Sequence, residues 1–456
     1  MRNLARAMRA RARRAWIAAL ALLLAAPAFG EWLTPDPSFR DAQLQLRAAL
    51  RDTVGHGGEI ARLDTLGVAL LSLGRLADAR TVFERVRATD PADAAACAAL
   101  GKLALFEDRL AEAESLLVPV AGGDEGATAD LFAARVRNGE WAGASALAKR
   151  AGQAGRAELF DALAAEGAYT RPAVPARTVE VPWVRAYPVP LVRAKLNGQS
   201  VLLAISTGVG DLLLDAPTAR RCRVRTFPAE APTYWSGTRV AGRMALVQSL
   251  EIGGLRLDHV PAAAISLRKY SLNINPQSET IGGVIGFGLL RRFTPTLDWK
   301  RQRLELAPPG APVAADADAR RVPFQIWGES HVTLQGTIGG GRTMAMFVDT
   351  GIPDAAVGAP REVFEELGIR PGVMSRMMRG AGVWLNGSPW SAVGVPAVTI
   401  GAVSRDKCDG WSGALDSAEL WRHGVRRDAL LSSEFFRGMR VTFDWTAREL
   451  VVETQR

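Results

Sequence analysis

The chain has 456 residues, enough for two or three domains. Hydrophobic residues make up 48% of it and charged residues 23%, an ordinary globular balance that excludes a largely disordered polymer. The formal net charge of +9 falls to +3 once the six arginines at positions 2, 6, 9, 11, 13 and 14 are set aside, which removes the case for binding nucleic acid or a lipid surface through bulk charge.

Those arginines open residues 1–30, which read as a signal peptide. Trp16 to Ala26 is an apolar run too short to span a bilayer comfortably, and Ala26-Pro27-Ala28 and Ala28-Phe29-Gly30 are small-residue cleavage candidates. An exported protein is expected, periplasmic or secreted. An uncleaved N-terminal anchor is the other reading. No apolar run of membrane-spanning length follows residue 30. The three cysteines, Cys97, Cys222 and Cys408, are too few for a disulfide framework. A Cys222–Cys408 pair is left open, and Cys97 lies in an Ala-rich helical stretch.

Residues 40–165 show helical periodicity with an internal repeat. Gly74-Arg75-Leu76-Ala77-Asp78-Ala79 and Asp108-Arg109-Leu110-Ala111-Glu112-Ala113 lie 34 residues apart, and Leu66-Gly67 and Leu100-Gly101 keep that offset. A third, degenerate copy begins at Gly139, and Phe83 and Pro91 complete the first unit. This pattern resembles the tetratricopeptide repeat (TPR), in which small residues let paired helices cross closely. The resemblance implies either a groove for a protein partner or a packed helical spacer. Residues 166–182, rich in proline, read as a linker.

Beyond the linker the period shifts to two. Leu196-Asn197-Gly198-Gln199 and Ile338-Gly339-Gly340-Gly341 are hairpin signals. Each leads an apolar strand into a tripeptide, Ser206-Thr207-Gly208 in the first case and Asp349-Thr350-Gly351 in the second. Each tripeptide is followed by a helix-like stretch (216–221 and 360–367) and an apolar motif, Val284-Ile285-Gly286 or Leu430-Leu431-Ser432. Each copy then closes on an Asp-Trp pair, Asp298-Trp299 or Asp444-Trp445. The tripeptides are offset by 143 residues and the Asp-Trp pairs by 146, so one module of this size occurs twice. The copies are expected over 183–306 and 322–456, joined by a linker at 307–321.

These motifs resemble the aspartic peptidases, in the two-lobed pepsin-like or the retropepsin-like arrangement. The expected fold class is therefore multidomain, α then all-β: a helical TPR-like domain followed by a duplicated, two-lobed aspartic-peptidase-like domain. The resemblance implies that Asp349, with Thr350 and Gly351, is a catalytic loop and that Ser206, Thr207 and Gly208 are its degenerate partner. It also implies flaps at Tyr234-Trp235-Ser236-Gly237-Thr238 and Arg379-Gly380-Ala381-Gly382, which makes Tyr234, Trp235, Gly237 and Gly380 candidate substrate-binding residues.

Such enzymes hydrolyse amides with two carboxylates sharing one proton. A serine hydroxyl neither ionises near neutral pH nor donates a proton readily, so one carboxylate alone is expected to bind a chain better than it cuts one. The expectation is an exported, degenerate member holding a peptide or protein ligand in its cleft, without cofactor or metal. Two alternatives stay open. One is an active aspartic-type endopeptidase in which Asp349 finds a second carboxylate, from Asp211, from Asp215, or from Asp349 of a second copy. The other is a TPR-type interaction scaffold. Ser206 as a nucleophile lacks a Gly-x-Ser-x-Gly setting and a histidine to serve it. His56, His259, His331 and His423 are isolated, with no metal-ligand spacing. The Asp-Trp pairs read as strand-end residues. Trp235, Trp384 and Trp390 read equally as cleft lining or core.

Overall fold

A computed structural model describes residues 39–53, 59–169, 177–235, 238–275, 279–372, 390–415, 420–421 and 423–454. The expected signal peptide, His56, Gly237, Gly380 and Trp384 lie outside the described residues.

Among the described residues, eight helices come first: α1 (Phe39–Thr53), α2 (Ile60–Ser72), α3 (Leu76–Thr89), α4 (Ala94–Phe106), α5 (Leu110–Leu117), α6 (Glu125–Asn138), α7 (Trp141–Arg150) and α8 (Ala154–Glu166). The 34-residue spacing has a packing cause. A Cβ on Gly67 would lie 2.6 Å from the Phe83 ring, and one on Gly101 2.6 Å from Leu117 Cγ, so each glycine admits a large side chain of the next helix. Asp93 and Asp124 cap α4 and α6 by accepting from the amides of Ala96 (2.8 Å) and Ala127 (2.6 Å).

The remainder is β-rich. Lobe one contains β1 (Val179–Arg185), β2 (Leu191–Leu196), β3 (Gln199–Ile205), β4 (Leu212–Asp215), α9 (Ala216–Arg221), β5 (Arg225–Trp235), β6 (Thr238–Ile252), β7 (Leu255–Ile265), α10 (Arg268–Ile274), β8 (Gly283–Ile285), α11 (Phe287–Leu290), β9 (Thr294–Asp298) and β10 (Arg303–Ala307). Lobe two contains β11 (Arg320–Trp327), β12 (His331–Ile338), β13 (Met344–Asp349), β14 (Val357–Ala359), α12 (Arg361–Glu366), β15 (Ser391–Ile400), β16 (Val403–Ser412), β17 (Ala429–Ser432), β18 (Met439–Asp444) and β19 (Glu449–Thr454). β1 and β11 begin inside the stretches read as linkers, because they pair with β10 and β19 at Val179↔Leu306 and Arg320↔Val452.

The two copies share one topology. β3 runs parallel to β8 and β13 parallel to β17, and β4 and β14 each pair antiparallel to the same partner. β4 also runs parallel to β7, and β14 to β16. The β2–β3 hairpin turns at Asn197 (φ 48°) and Gly198 (φ 82°), the two positive values that an Asn-Gly turn supplies. A six-stranded antiparallel sheet, β1-β10-β9-β18-β19-β11, joins the lobes. At its centre Thr296 Oγ1 and Thr442 Oγ1 lie 2.7 Å apart, buried, at equivalent positions of the two copies.

One sequence expectation, that of isolated histidines, is corrected, and two readings left open, on the cysteines and on Trp390, are resolved. Cys222 and Cys408 are both free, as is Cys97. His331 and His423 are not isolated: Nε2 of His423 lies 3.3 Å from Nδ1 of His331. Distant strand and loop positions meet there, which no local spacing reveals. Trp390 packs near Trp411 in a satellite cluster with Phe347 and Leu430, so it belongs to lobe-two packing. The Asp-Trp pairs are strand-end residues. Asp298 accepts from the amides of Lys300 (3.1 Å) and Arg301 (2.8 Å), and Asp444 from that of Ala447 (2.9 Å).

Candidate active site

β3 and β13 each end at the junction of the lobes, and their tripeptides face each other. Thr207 Oγ1 donates to the Val348 carbonyl (2.7 Å) and accepts from the Thr350 amide (3.3 Å). In mirror fashion Thr350 Oγ1 donates to the Ile205 carbonyl (3.4 Å) and accepts from the Thr207 amide (3.1 Å). Both threonines are fully buried, so these reciprocal bonds satisfy polar groups that have no water to turn to.

This grip sets the next pair. Ser206 Oγ donates to Asp349 Oδ1 at 2.6 Å. The Gly208 amide donates to Ser206 Oγ (3.2 Å), as the Gly351 amide donates to Asp349 Oδ1 (2.8 Å). Neither glycine admits a side chain: a Cβ on Gly208 would fall 2.2 Å from Asp349 Cγ, and one on Gly351 2.5 Å from Ser206 Oγ. Ser206 Oγ and Asp349 Oδ1 thus each accept the amide of the glycine two residues on, at equivalent places in the two copies.

Burial lifts the Asp349 carboxyl above the usual carboxylate range, while Ser206 and the amides of Gly351 and Gly208 pull it back. No other acid among the described residues contributes. A raised folded-state pKa means that the protonated form suits the fold better. This stabilising contribution is complete below the unfolded value of 3.8 and is lost as pH rises through the folded value. Wild type compared with Asp349→Asn should therefore lose relative stability from acid towards neutral pH in denaturant titrations. A flat difference across that window would show that the carboxyl is not desolvated.

The acids considered as rescuers are engaged elsewhere. Asp211 accepts from the Tyr169 hydroxyl, and Asp215 accepts from the Leu267 amide (3.0 Å). Asp354, at the same offset in lobe two, is exposed and left-handed (φ 62°). One contributor had no sequence signal. Tyr270, on α10 of lobe one, is buried and donates to the Gly351 carbonyl (3.3 Å) of lobe two. Burial first, and then the nearby Asp349 charge, push its phenol well above the usual range. A lone tyrosine within a short helix carries no mark that it reaches across a lobe boundary.

The apolar motifs cross beneath both loops. Gly286 donates from its amide to the Asp211 carbonyl (2.8 Å), and the Ser206 amide donates to the Ile285 carbonyl (2.9 Å). In lobe two Ser432 stands where the glycine would be. Its amide donates to the Ala356 carbonyl (3.0 Å) and its hydroxyl to that of Ala355, so the lost glycine is accommodated. Where a flap is expected, the register Tyr234↔Arg239 and Trp235↔Thr238 places both aromatic positions at the end of the β5–β6 hairpin.

Residues 192–289 match the family model described as aspartyl protease, and they hold the Ser206 loop, the β5–β6 hairpin and the Gly286 crossing. The β region is an aspartyl-protease-like domain. Residues 70–122 match the tetratricopeptide repeat model, so a TPR region precedes the aspartyl-protease-like domain. No curated protein matches the chain. The matched span covers the copy that lacks the acid. Asp349 lies in the other copy, tied to the first by shared topology and the threonine grip.

Proposed function

We propose that this is an exported aspartyl-protease-like protein that holds a peptide or protein segment in the cleft between its lobes and does not cleave it efficiently. The reading rests on one observation, the Ser206 hydroxyl at 2.6 Å from Asp349 where proton-sharing chemistry calls for a second acid. The intact threonine grip supports retained geometry, and the basic, then apolar, residues 1–30 support export. No helix among the described residues is long and apolar enough to cross a membrane.

The purified protein should be retained on an immobilised statine-type peptide, whose hydroxyl mimics the tetrahedral species. It should leave a denatured protein substrate intact from acid to neutral pH. Inhibitor-sensitive cleavage that disappears in Asp349→Asn would sink the non-cleaving reading. Failure to be retained, with the fold intact, would sink the binding reading.

A further inference from the structure

Contacts between the helices and the aspartyl-protease-like domain come from one side of the repeat stack. α2 packs on α4 and α4 on α6, and the Phe132 ring of α6 lies 5.7 Å from that of Phe160 on α8, so the first helices of the pairs form a continuous face that α8 extends. From this face and its loops, the Ser72 carbonyl accepts from the Arg426 amide (2.9 Å), and Lys102 donates to the His423 carbonyl (3.0 Å). The Phe106 ring stacks on the fully buried Trp327 with centroids 4.9 Å apart. Arg156 pairs with Glu329 (2.5 Å) and Glu166 with Arg225 (2.7 Å). Among the described residues, α3, α5 and α7 contribute none of the hydrogen bonds or ion pairs that join the two regions.

Both lobes are held. Phe227 and Leu246 of lobe one enter a cluster with Leu159, Phe160 and Leu163, and Trp327 and Val425 of lobe two enter another with Leu66, Leu70 and Leu103. Arg137, 2% exposed in its side chain, donates to the carbonyls of Ile326 (3.0 Å) and Gly328 (3.2 Å) in lobe two. The same guanidinium pairs with Asp108, whose other oxygen takes Arg291 of lobe one at 2.5 Å. One carboxylate of the repeats thus connects the lobes beyond their shared sheet. A cation buried this deeply, with its donors placed on the carbonyls of another domain, marks a fixed dock rather than a swinging tether.

We infer that the first-helix face of the TPR region is an intramolecular clamp, occupied by the two lobes of its own chain, that fixes the lobes against each other. The groove an isolated repeat stack would offer a partner is filled, and an external protein is left the second-helix face. This inference stands whether or not the cleft cuts peptide.

The test uses the full chain with a site-specific protease sequence inserted within residues 170–176 and cut after folding. The halves should co-elute in gel filtration as one 1:1 species at micromolar concentration. Arg156→Glu should weaken their association about tenfold, and adding Glu329→Arg should restore it. Halves that separate, or an Arg156→Glu form as tight as the parent, would overturn the clamp. Should the insertion prevent folding, the parent chain answers: helical ellipticity and tryptophan fluorescence should melt in one coincident transition. A helical signal lost well before the fluorescence signal would overturn the inference.

Discussion

Ser206→Asp is expected to turn the cleft into an acid-dependent endopeptidase. Its slot is ready, because the Gly208 amide points at position 206 as the Gly351 amide points at Asp349. The threonine grip that aligns the loops does not involve the serine hydroxyl. A carboxyl there stands within a few ångströms of Asp349, so the two cannot both ionise easily. They would share a proton, one deprotonated towards water and one protonated towards the substrate carbonyl. Restoring general acid–base catalysis is worth about 10²–10⁴-fold in rate. The gain should follow a bell-shaped pH profile and vanish when Asp349→Asn is added. A folded Ser206→Asp protein inert at every pH would place the defect elsewhere in the cleft and remove the missing acid as its cause.

Gly286→Ala should be among the most damaging single methyl additions in the domain. The backbone at Gly286 has φ −110°, which any residue adopts, so the requirement is space and not conformation. A Cβ would stand 2.1 Å from the Gly210 carbonyl oxygen, 2.6 Å from that of Val209 and 2.8 Å from that of Asp211. These are backbone atoms of the loop that carries Ser206. They are fixed by bonds from the amides of Gly286, Phe287 (2.8 Å) and Gly288 (3.0 Å), so no side chain can swing aside. The cost should reach about 3 kcal/mol, the upper end for overpacking, with the Ser206–Asp349 alignment lost as well. Ser432→Gly, at the equivalent place in lobe two, removes one hydroxyl bond and should cost about 1 kcal/mol. Denaturant titration of both variants checks the asymmetry. Equal losses would mean that the crossings are not the source of the difference.

Much of the architecture was legible because duplication leaves marks that sequence periodicity can count. The 34-residue offset follows from a glycine meeting a large side chain of the paired helix, and that contact recurs at Gly67–Phe83 and Gly101–Leu117. The offset of 143 separates two tripeptides that bond to each other across the lobe boundary. Contacts between unlike elements were not legible. Tyr270 under Gly351, His331 beside His423 and Arg137 on the lobe-two carbonyls each join residues with no shared pattern, at separations that only packing of the whole chain brings together. Asp211 shows the same limit: its offset matched Asp354, but its partner is Tyr169, from the segment after the helices.

By itself, then, the order of residues determined that one β module occurs twice and that its first copy carries a hydroxyl where the second carries an acid. Those are statements about identity and spacing, which survive without coordinates. Tertiary structure alone decided that the hydroxyl lies in bonding contact with that acid, that neighbouring carboxylates are held away, and that the repeat face is covered by its own chain. Each depends on which buried polar groups find partners, and that is settled only when every surface competing for burial is in place.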